Sequence, residues 1–232
     1  MITRLQVIPV EGLPEIRPGD DLAGIVAGAA IDHGALDGDC LVVTSKVVSK
    51  AEGRLAEVND DRGKAAIVDA EAVRVLRRRG DLVIAETRHG YVCANAGVDL
   101  SNVAEGYAVL LPEDPDRSAR RIRDVLLGRG RSLAVVVSDT FGRPWREGVV
   151  DVALGIAGLR AVVDLRGTKD AAGRELEVTE IAIADEVAAA AELVMGKARS
   201  VPAAIVRGLD PDWFGDGSGR DLIRSPSGDL FR

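Results

Sequence analysis

An apolar, mostly β-branched run, Leu133-Ala-Val-Val-Val137, ends in Ser138-Asp139-Thr140-Phe-Gly142-Arg143-Pro-Trp145-Arg146. An acid and a hydroxyl at the carboxyl end of such a strand stand where open α/β sheets hold ligands. Asp139 and Thr140 are hard oxygen donors, suited to magnesium or manganese bridging phosphates. Arg143 and Arg146 would then hold a carboxylate or phosphate through paired hydrogen bonds. The same residues also describe a capped turn with exposed arginines. A second buried-looking run, Cys40-Leu-Val-Val-Thr44, leads into Ser45-Lys46-Val-Val-Ser49-Lys50. If the backbone turns helical there, the four-residue spacing puts Lys46 and Lys50 on one side, where ammonium groups and hydroxyls can grip phosphates. A solvated basic edge fits that spacing as well. A third candidate is Asn95-Ala-Gly97-Val-Asp99-Leu-Ser101-Asn102, with a turn closed by its own Asp and Asn side chains as the alternative.

Other chemistries are disfavoured by what the chain contains. No Gly-x-x-x-x-Gly-Lys-Ser/Thr loop occurs, so this is not an ordinary P-loop enzyme. His33 and His89 are too few and too far apart for a histidine metal site or triad, and a surface or turn role is expected of both. Cys40 and Cys93 lie in apolar runs and read as buried free thiols. Gly215-Asp-Gly217-Ser-Gly219 precedes no βα unit, so a flexible tail is expected there and not a phosphate cradle.

The elements that must position these residues alternate between strand-like and helix-like patterns, which makes the chain a mixture of α and β throughout. Strands are expected over Leu5–Val10, Cys40–Thr44, Leu82–Glu86, Tyr91–Ala94, Ala108–Leu111, Leu133–Ser138, Ala161–Asp164 and Ala203–Arg207. Helices are expected over Asp20–Ala30, Arg62–Arg79, Ser118–Leu127 and Ala184–Met195. Asp114-Pro-Asp116 and Gly128 bracket the third helix, and Gly196 stops the fourth. With 232 residues, 47% of them hydrophobic and 3% aromatic, the core must be built from Val, Leu, Ile and Ala. The formal charge of −7 argues against a nucleic-acid surface, but not against an anionic nucleotide held by local lysines. The opening Met1-Ile-Thr-Arg-Leu carries no signal-type run and no segment has membrane-spanning length, so a soluble cytoplasmic protein is expected.

Together these segments resemble one family, the coenzyme F420-0:L-glutamate ligases, also called gamma-glutamyl ligases. The resemblance rests on Pro9-Val-Glu-Gly-Leu-Pro14, Val43-Thr-Ser-Lys-Val-Val-Ser-Lys-Ala-Glu-Gly53, Asn95-Ala-Gly-Val-Asp-Leu-Ser-Asn102, Ser138-Asp-Thr-Phe-Gly-Arg143, Gly173-Arg-Glu-Leu-Glu-Val-Thr179 and Pro202-Ala-Ala-Ile-Val-Arg-Gly208. These blocks run in family order over nearly the whole chain. The resemblance implies that GTP phosphorylates the terminal carboxylate of F420-0. The amine of L-glutamate then displaces phosphate to make an amide, gamma-linked on further additions. It also implies a pair of Mg2+ or Mn2+ ions, with K+ as a further cation. Position by position, Asp99 and Asp139 look like ligands of one metal, and Thr140 a ligand near the second. Gly12, Leu13, Pro14, Glu15, Ser45, Lys46, Lys50 and Asn102 look like guanine-nucleotide contacts, joined by Met195, Gly196 and Lys197 from the segment Met195–Pro202. Lys46 and Asp139 would carry the catalytic roles. The chain departs from the family at one position. After Met195-Gly196 the pattern can place a carboxylate that helps hold the second metal; here it is Lys197, which cannot ligate metal while protonated. The second site is then completed by another group, such as Glu177 or Asp170, or is weaker.

The implied fold is α+β, with mixed sheets and flanking helices in a two-lobed ligase arrangement that forms an intertwined homodimer. The whole chain, 1–232, is read as one ligase domain. Its Gly-, Asp-, Ser- and Pro-rich stretch 210–232 is read as a loosely ordered tail or the start of a linker. In actinobacteria such ligases are often fused to a nitroreductase-like domain, and the apolar ending Leu230-Phe231-Arg232 would suit an isolated amino-terminal half. Two other readings use the same residues. One is a different metal-dependent nucleotide enzyme, such as a kinase or nucleotidyltransferase. The other is a non-catalytic domain that retains the F420 precursor, which Lys197 favours.

Overall fold

Uncharged β-branched runs bury both faces of a strand, and this chain has several. The structure is a computed structural model that describes residues 4–230, apart from the side chain of Asp61. The first residues of the opening and the terminal Phe231-Arg232, on which the reading of an amino-terminal half rests, lie outside the described residues. In chain order the elements are β1 (Gln6–Val10), α1 (Leu22–Asp32), β2 (Cys40–Thr44), α2 (Ser45–Ala51), β3 (Leu55–Glu57), α3 (Asp61–Glu71), β4 (Ala72–Arg79), β5 (Leu82–Thr87) and β6 (Val92–Ala94). There follow β7 (Tyr107–Val109), α4 (Pro115–Gly128), β8 (Ala134–Arg143), β9 (Arg146–Ala157), β10 (Val163–Asp164), β11 (Glu180–Ile181), α5 (Ile183–Met195) and β12 (Ala203–Arg207).

Five of these strands form a mixed sheet in the order β1-β12-β2-β8-β9, with β2 and β8 parallel and the other neighbours antiparallel. Side chains alternate across each strand, so the sheet makes two cores. Leu41, Val43, Val135, Val137 and Ile205 pack with residues of α1 and α4 on one face. Cys40, Val42, Val136, Ala204 and Val206 pack with α5 on the other. At one edge Asp39, 2% exposed, accepts two hydrogen bonds from Arg207, at 2.9 and 2.7 Å. A smaller apolar cluster joins α3, β5, β7 and the Ala96–Val98 turn, and it carries Asp99.

The α and β mixture and most element positions follow the sequence reading, and β2 and β12 have the expected bounds. The expected helix Arg62–Arg79 does not. Asp60 caps its start by accepting from the Gly63 amide at 2.7 Å, but the helix ends at Glu71 and the chain continues as β4. The Val73-Arg74-Val75 alternation has the strand period of two, and β4 finds a hairpin partner in β5, with Arg74 paired to Glu86 at 2.9 Å. The capped turn allowed for after Ser138 is also absent: β8 runs on to Arg143 and turns back as β9, a strand that the sequence reading missed. Among the described residues no helix is long and apolar enough to cross a membrane. Both cysteines are buried and free, His33 accepts the Glu11 amide beside the end of α1, and His89 sits in a turn.

The glycine-rich stretch after Asp210 packs on the sheet more specifically than its composition implies. A Cβ on Gly217 or Gly219 would run into the backbone of Leu159 or Leu154, so both must be glycine for the chain to lie this close. Asp116, in the first turn of α4 and 9% exposed, ties three elements together. Its carboxylate accepts from the Ile156 amide at 2.8 Å, the Gly219 amide at 2.9 Å and the Ser218 hydroxyl at 2.6 Å. Asp116→Ala would leave buried amides without acceptors, so it should lower the urea unfolding free energy by about 3 kcal/mol and open the segment after Gly215 to proteases. A wild-type unfolding midpoint would contradict this account of the tail.

Candidate functional site

The strand register decides which segments meet. Thr44 ends β2 opposite Ser138 of β8, Val10 ends β1 opposite Ala203, and the Thr44 amide donates to the Pro202 carbonyl at 2.9 Å. The loop after β1, helix α2, the Asp139–Thr140 pair and the segment before β12 therefore emerge at one edge of the sheet. The antiparallel return of β9 sets Asp151 directly across from Thr140.

A cavity of about 630 Å³ opens at this edge. Leu13, Pro14, Val47, Leu55, Val103 and Val201 give it an apolar wall, while Lys46, Lys50, Asp139, Asp151, Glu192 and Lys197 give it a charged end. Helix α2 realises the helical alternative for Ser45–Lys50: both lysines face the cavity and neither is a solvated edge, their side chains being 16% and 14% exposed. Lys50 pairs with Glu15 at 2.6 Å. Lys46 reaches Asp99 at 2.6 Å and donates to Ser101 at 2.6 Å, which joins the main sheet to the smaller cluster.

The acids differ in their surroundings. Burial pushes Asp99 up, but hydrogen bonds from Lys46 and Ser101 outweigh it and hold the carboxyl below the ordinary range. Burial pushes Asp139 up to about 6, with the Thr140 amide and Lys46 opposing and the carboxylates of Asp151 and Asp99 adding. Asp151, 3% exposed, accepts from Ser138 at 2.9 Å and Thr140 at 2.5 Å. Lys197 donates to the Thr140 hydroxyl and lies 3.6 Å from carboxylate oxygens of both Asp151 and Glu192.

Similarity to known proteins bears on this site. A profile described as F420-0:Gamma-glutamyl ligase matches residues 12–208, a span that contains every segment of the cavity. The chain belongs to the F420-0:gamma-glutamyl ligase family. A Methanothermobacter thermautotrophicus protein named Coenzyme F420:L-glutamate ligase is 43% identical over 98% of this chain and 99% of its own length. Proteins of the same name from Methanopyrus kandleri and Archaeoglobus fulgidus are 44% and 43% identical, each over 99% of this chain and 97% of their own length.

Of the residues singled out from the sequence of this family member, Leu13, Pro14, Glu15, Lys46, Lys50, Asn102, Asp139, Met195, Gly196 and Lys197 line the cavity. Asp99 and Thr140 join through Lys46 and Lys197. Ser45 is the buried first residue of α2, and Gly12 bends the loop entering the cavity with φ of 75°. Arg143 and Arg146 are not brought in: they flank the tip of the β8–β9 hairpin, where Arg143 donates to the Glu147 carbonyl at 3.1 Å. Asp170 accepts from the amides of its own loop, at Ala172 and Arg174, and Glu177 is exposed; neither lines the cavity. Asp151 and Glu192 are the acids that sequence reasoning missed. Asp151 had a signal, being the single acid in the run Val149-Val-Asp-Val-Ala-Leu.

The donors at the charged end are carboxylate and hydroxyl oxygens, which suit a hard cation such as Mg2+ or Mn2+ and not a soft metal. Among the described residues no three carboxylate, histidine or cysteine groups converge as a closed cage. Mg2+ is commonly held by one or two carboxylates together with substrate phosphates, so the Asp99–Asp139 pair fits that use.

The raised Asp139 has a consequence for stability. Its folded-state value lies above the unfolded one, so the folded protein prefers the neutral carboxyl, and the ionised form destabilises it increasingly from about pH 4 to about pH 6. Asp139→Asn keeps an acceptor for the Thr140 amide and removes the charge. In metal-free buffer the variant should therefore gain on the wild type by roughly 1–3 kcal/mol between pH 4 and pH 7, allowing for solvent in the cavity. A constant difference across that range, measured by denaturant unfolding, would contradict the burial argument.

Proposed function

We propose that this chain is a GTP-dependent ligase that joins L-glutamate to coenzyme F420-0 through an amide bond, gamma-linked on further additions. The observation that carries the reading is the cavity itself. In a member of this family it sets an apolar wall beside charged groups, with Lys46 and Lys50 of one helix lining the same cavity as Asp139 and Lys46 paired to Asp99. The wall suits a base and the charged end suits phosphates; the choice of guanine rests on the family resemblance. The relatives' shared name supplies glutamate and F420 as the substrates.

The chemistry follows from leaving groups. An amine does not expel oxide from a carboxylate, so the acceptor must first be activated. A carboxylate oxygen of F420-0 attacks the γ-phosphorus of GTP, and GDP departs with the electrons of the broken P–O bond. The glutamate amine then attacks the acyl carbon, loses a proton, and phosphate leaves with the former carboxylate oxygen. Lys46 and Lys50 offset the charge that moves between the phosphates, held in place by α2. Asp99 and Asp139 would hold one divalent ion, and when bound it would supply further charge neutralisation at the phosphates. Asp139 must be ionised for that role, and a bound cation would itself favour the ionised carboxylate. A potassium ion belongs to the same proposal through the resemblance, without assigned ligands.

Mass spectrometry of F420-0 incubated with enzyme, GTP, L-glutamate and Mg2+ or Mn2+ tests the activity. The mass should rise by glutamyl increments only in the complete mixture. Lys46→Ala should raise KM for GTP tenfold or more, corresponding to about 1.4 kcal/mol of lost phosphate contact, while altering KM for glutamate far less. Unchanged F420-0 in the complete mixture would overturn the ligase reading and favour retention of the precursor without catalysis. Phosphorylated or nucleotidylated F420-0 formed without any need for glutamate would favour another nucleotide enzyme.

A further inference from the structure

Thr140, Asp151 and Glu192 come from three different elements, β8, β9 and α5, and their oxygens converge on a single cation, the ammonium of Lys197. The lysine follows Gly196, whose φ of 60° ends α5 and turns the chain back toward the cavity. Asp151 is almost wholly buried and already accepts from Ser138 and Thr140, and the Lys197 ammonium supplies an opposite charge that favours its ionised form. Asp170 and Glu177, the acids named from the sequence as candidates to complete a second metal site, do not line the cavity. What stands beside Thr140 is therefore two carboxylates already matched to a lysine.

Two carboxylates and a hydroxyl are also a donor set that a hard divalent ion accepts. An ammonium hydrogen-bonded to the hydroxyl and 3.6 Å from both acids fills the same oxygens, and like-charge repulsion at that range means that a divalent ion would have to displace it. We propose that Lys197 is itself the second cation of this pocket: its tethered ammonium stands among Thr140, Asp151 and Glu192 in the place of a second divalent ion, so that nucleotide is bound with one divalent ion, at Asp99 and Asp139. The inference rests on the reading of the cavity as a nucleotide and metal site. It changes the metal requirement of that site, since the lysine supplies a charge that does not dissociate, and it makes Lys197 a binding residue instead of a mark of lost catalysis.

The test counts bound Mn2+ by the electron paramagnetic resonance signal of the free ion. It uses the wild type, Lys197→Gln and Lys197→Arg, each with and without a non-hydrolysable GTP analogue, after circular dichroism has shown each protein folded. With the analogue, the wild type and Lys197→Arg should each bind one Mn2+ per chain and Lys197→Gln two. Without it, Lys197→Gln should still bind one more Mn2+ than the wild type. Two ions on the wild type, or equal counts for the wild type and Lys197→Gln in both settings, would overturn the proposal. If the analogue changes no count in any protein, the nucleotide reading fails instead, and the difference between Lys197→Gln and the wild type in Mn2+ alone still decides the role of the lysine.

Discussion

The parallel pairing of β2 with β8, with Thr44 set against Ser138, is the constraint on which the rest of the molecule depends. A slip of one residue would send Leu41 and Val43 out of the α1–α4 core, and Cys40 and Val42 out of the α5 core. Both faces of the sheet therefore hold the same register. The chemical residues are placed as a by-product: Lys46 follows Thr44, Asp139 follows Ser138, and antiparallel β12 and β9 return Pro202 and Asp151 to the same edge. The apolar cores do the positioning, and the polar edge accepts the strain of holding charges close together.

That edge organises its charges in pairs. Lys46 stabilises Asp99 and bridges the main sheet to the smaller cluster, while Lys197 balances Asp151 and Glu192. Asp139 is the exception, since it has carboxylate neighbours and no ion-pair partner among the described contacts. A carboxylate in that position is unfavourable for the folded chain alone and favourable once a cation arrives. Such a conflict between stability and local charge is expected where a protein binds a metal or phosphate.

Much of this was legible in the sequence, for physical reasons. Buried β-branched runs announce themselves, so β2 and β12 could be bounded to the residue, and the spacing of Lys46 and Lys50 pointed to one helix face. The break at Ala72 was hidden because arginine-rich segments suit a helix as readily as an exposed hairpin, and the choice was made by the tertiary partner β5. Asp151 and Glu192 were missed because their relevance comes from position across a strand pair and at the end of a helix. The stretch after Asp210 looked loose because composition cannot report that Gly217 and Gly219 fit against carbonyls of the body.

The central claim is that this edge activates a carboxylate by phosphoryl transfer before an amine attacks it. The most direct measurement is the fate of oxygen-18 placed in the terminal carboxylate of F420-0 during turnover with GTP and L-glutamate. The account predicts one labelled oxygen in each phosphate released, with GDP as the other product. Unlabelled phosphate, or pyrophosphate accompanied by label in a nucleoside monophosphate, would contradict it and place the activation at a different phosphorus.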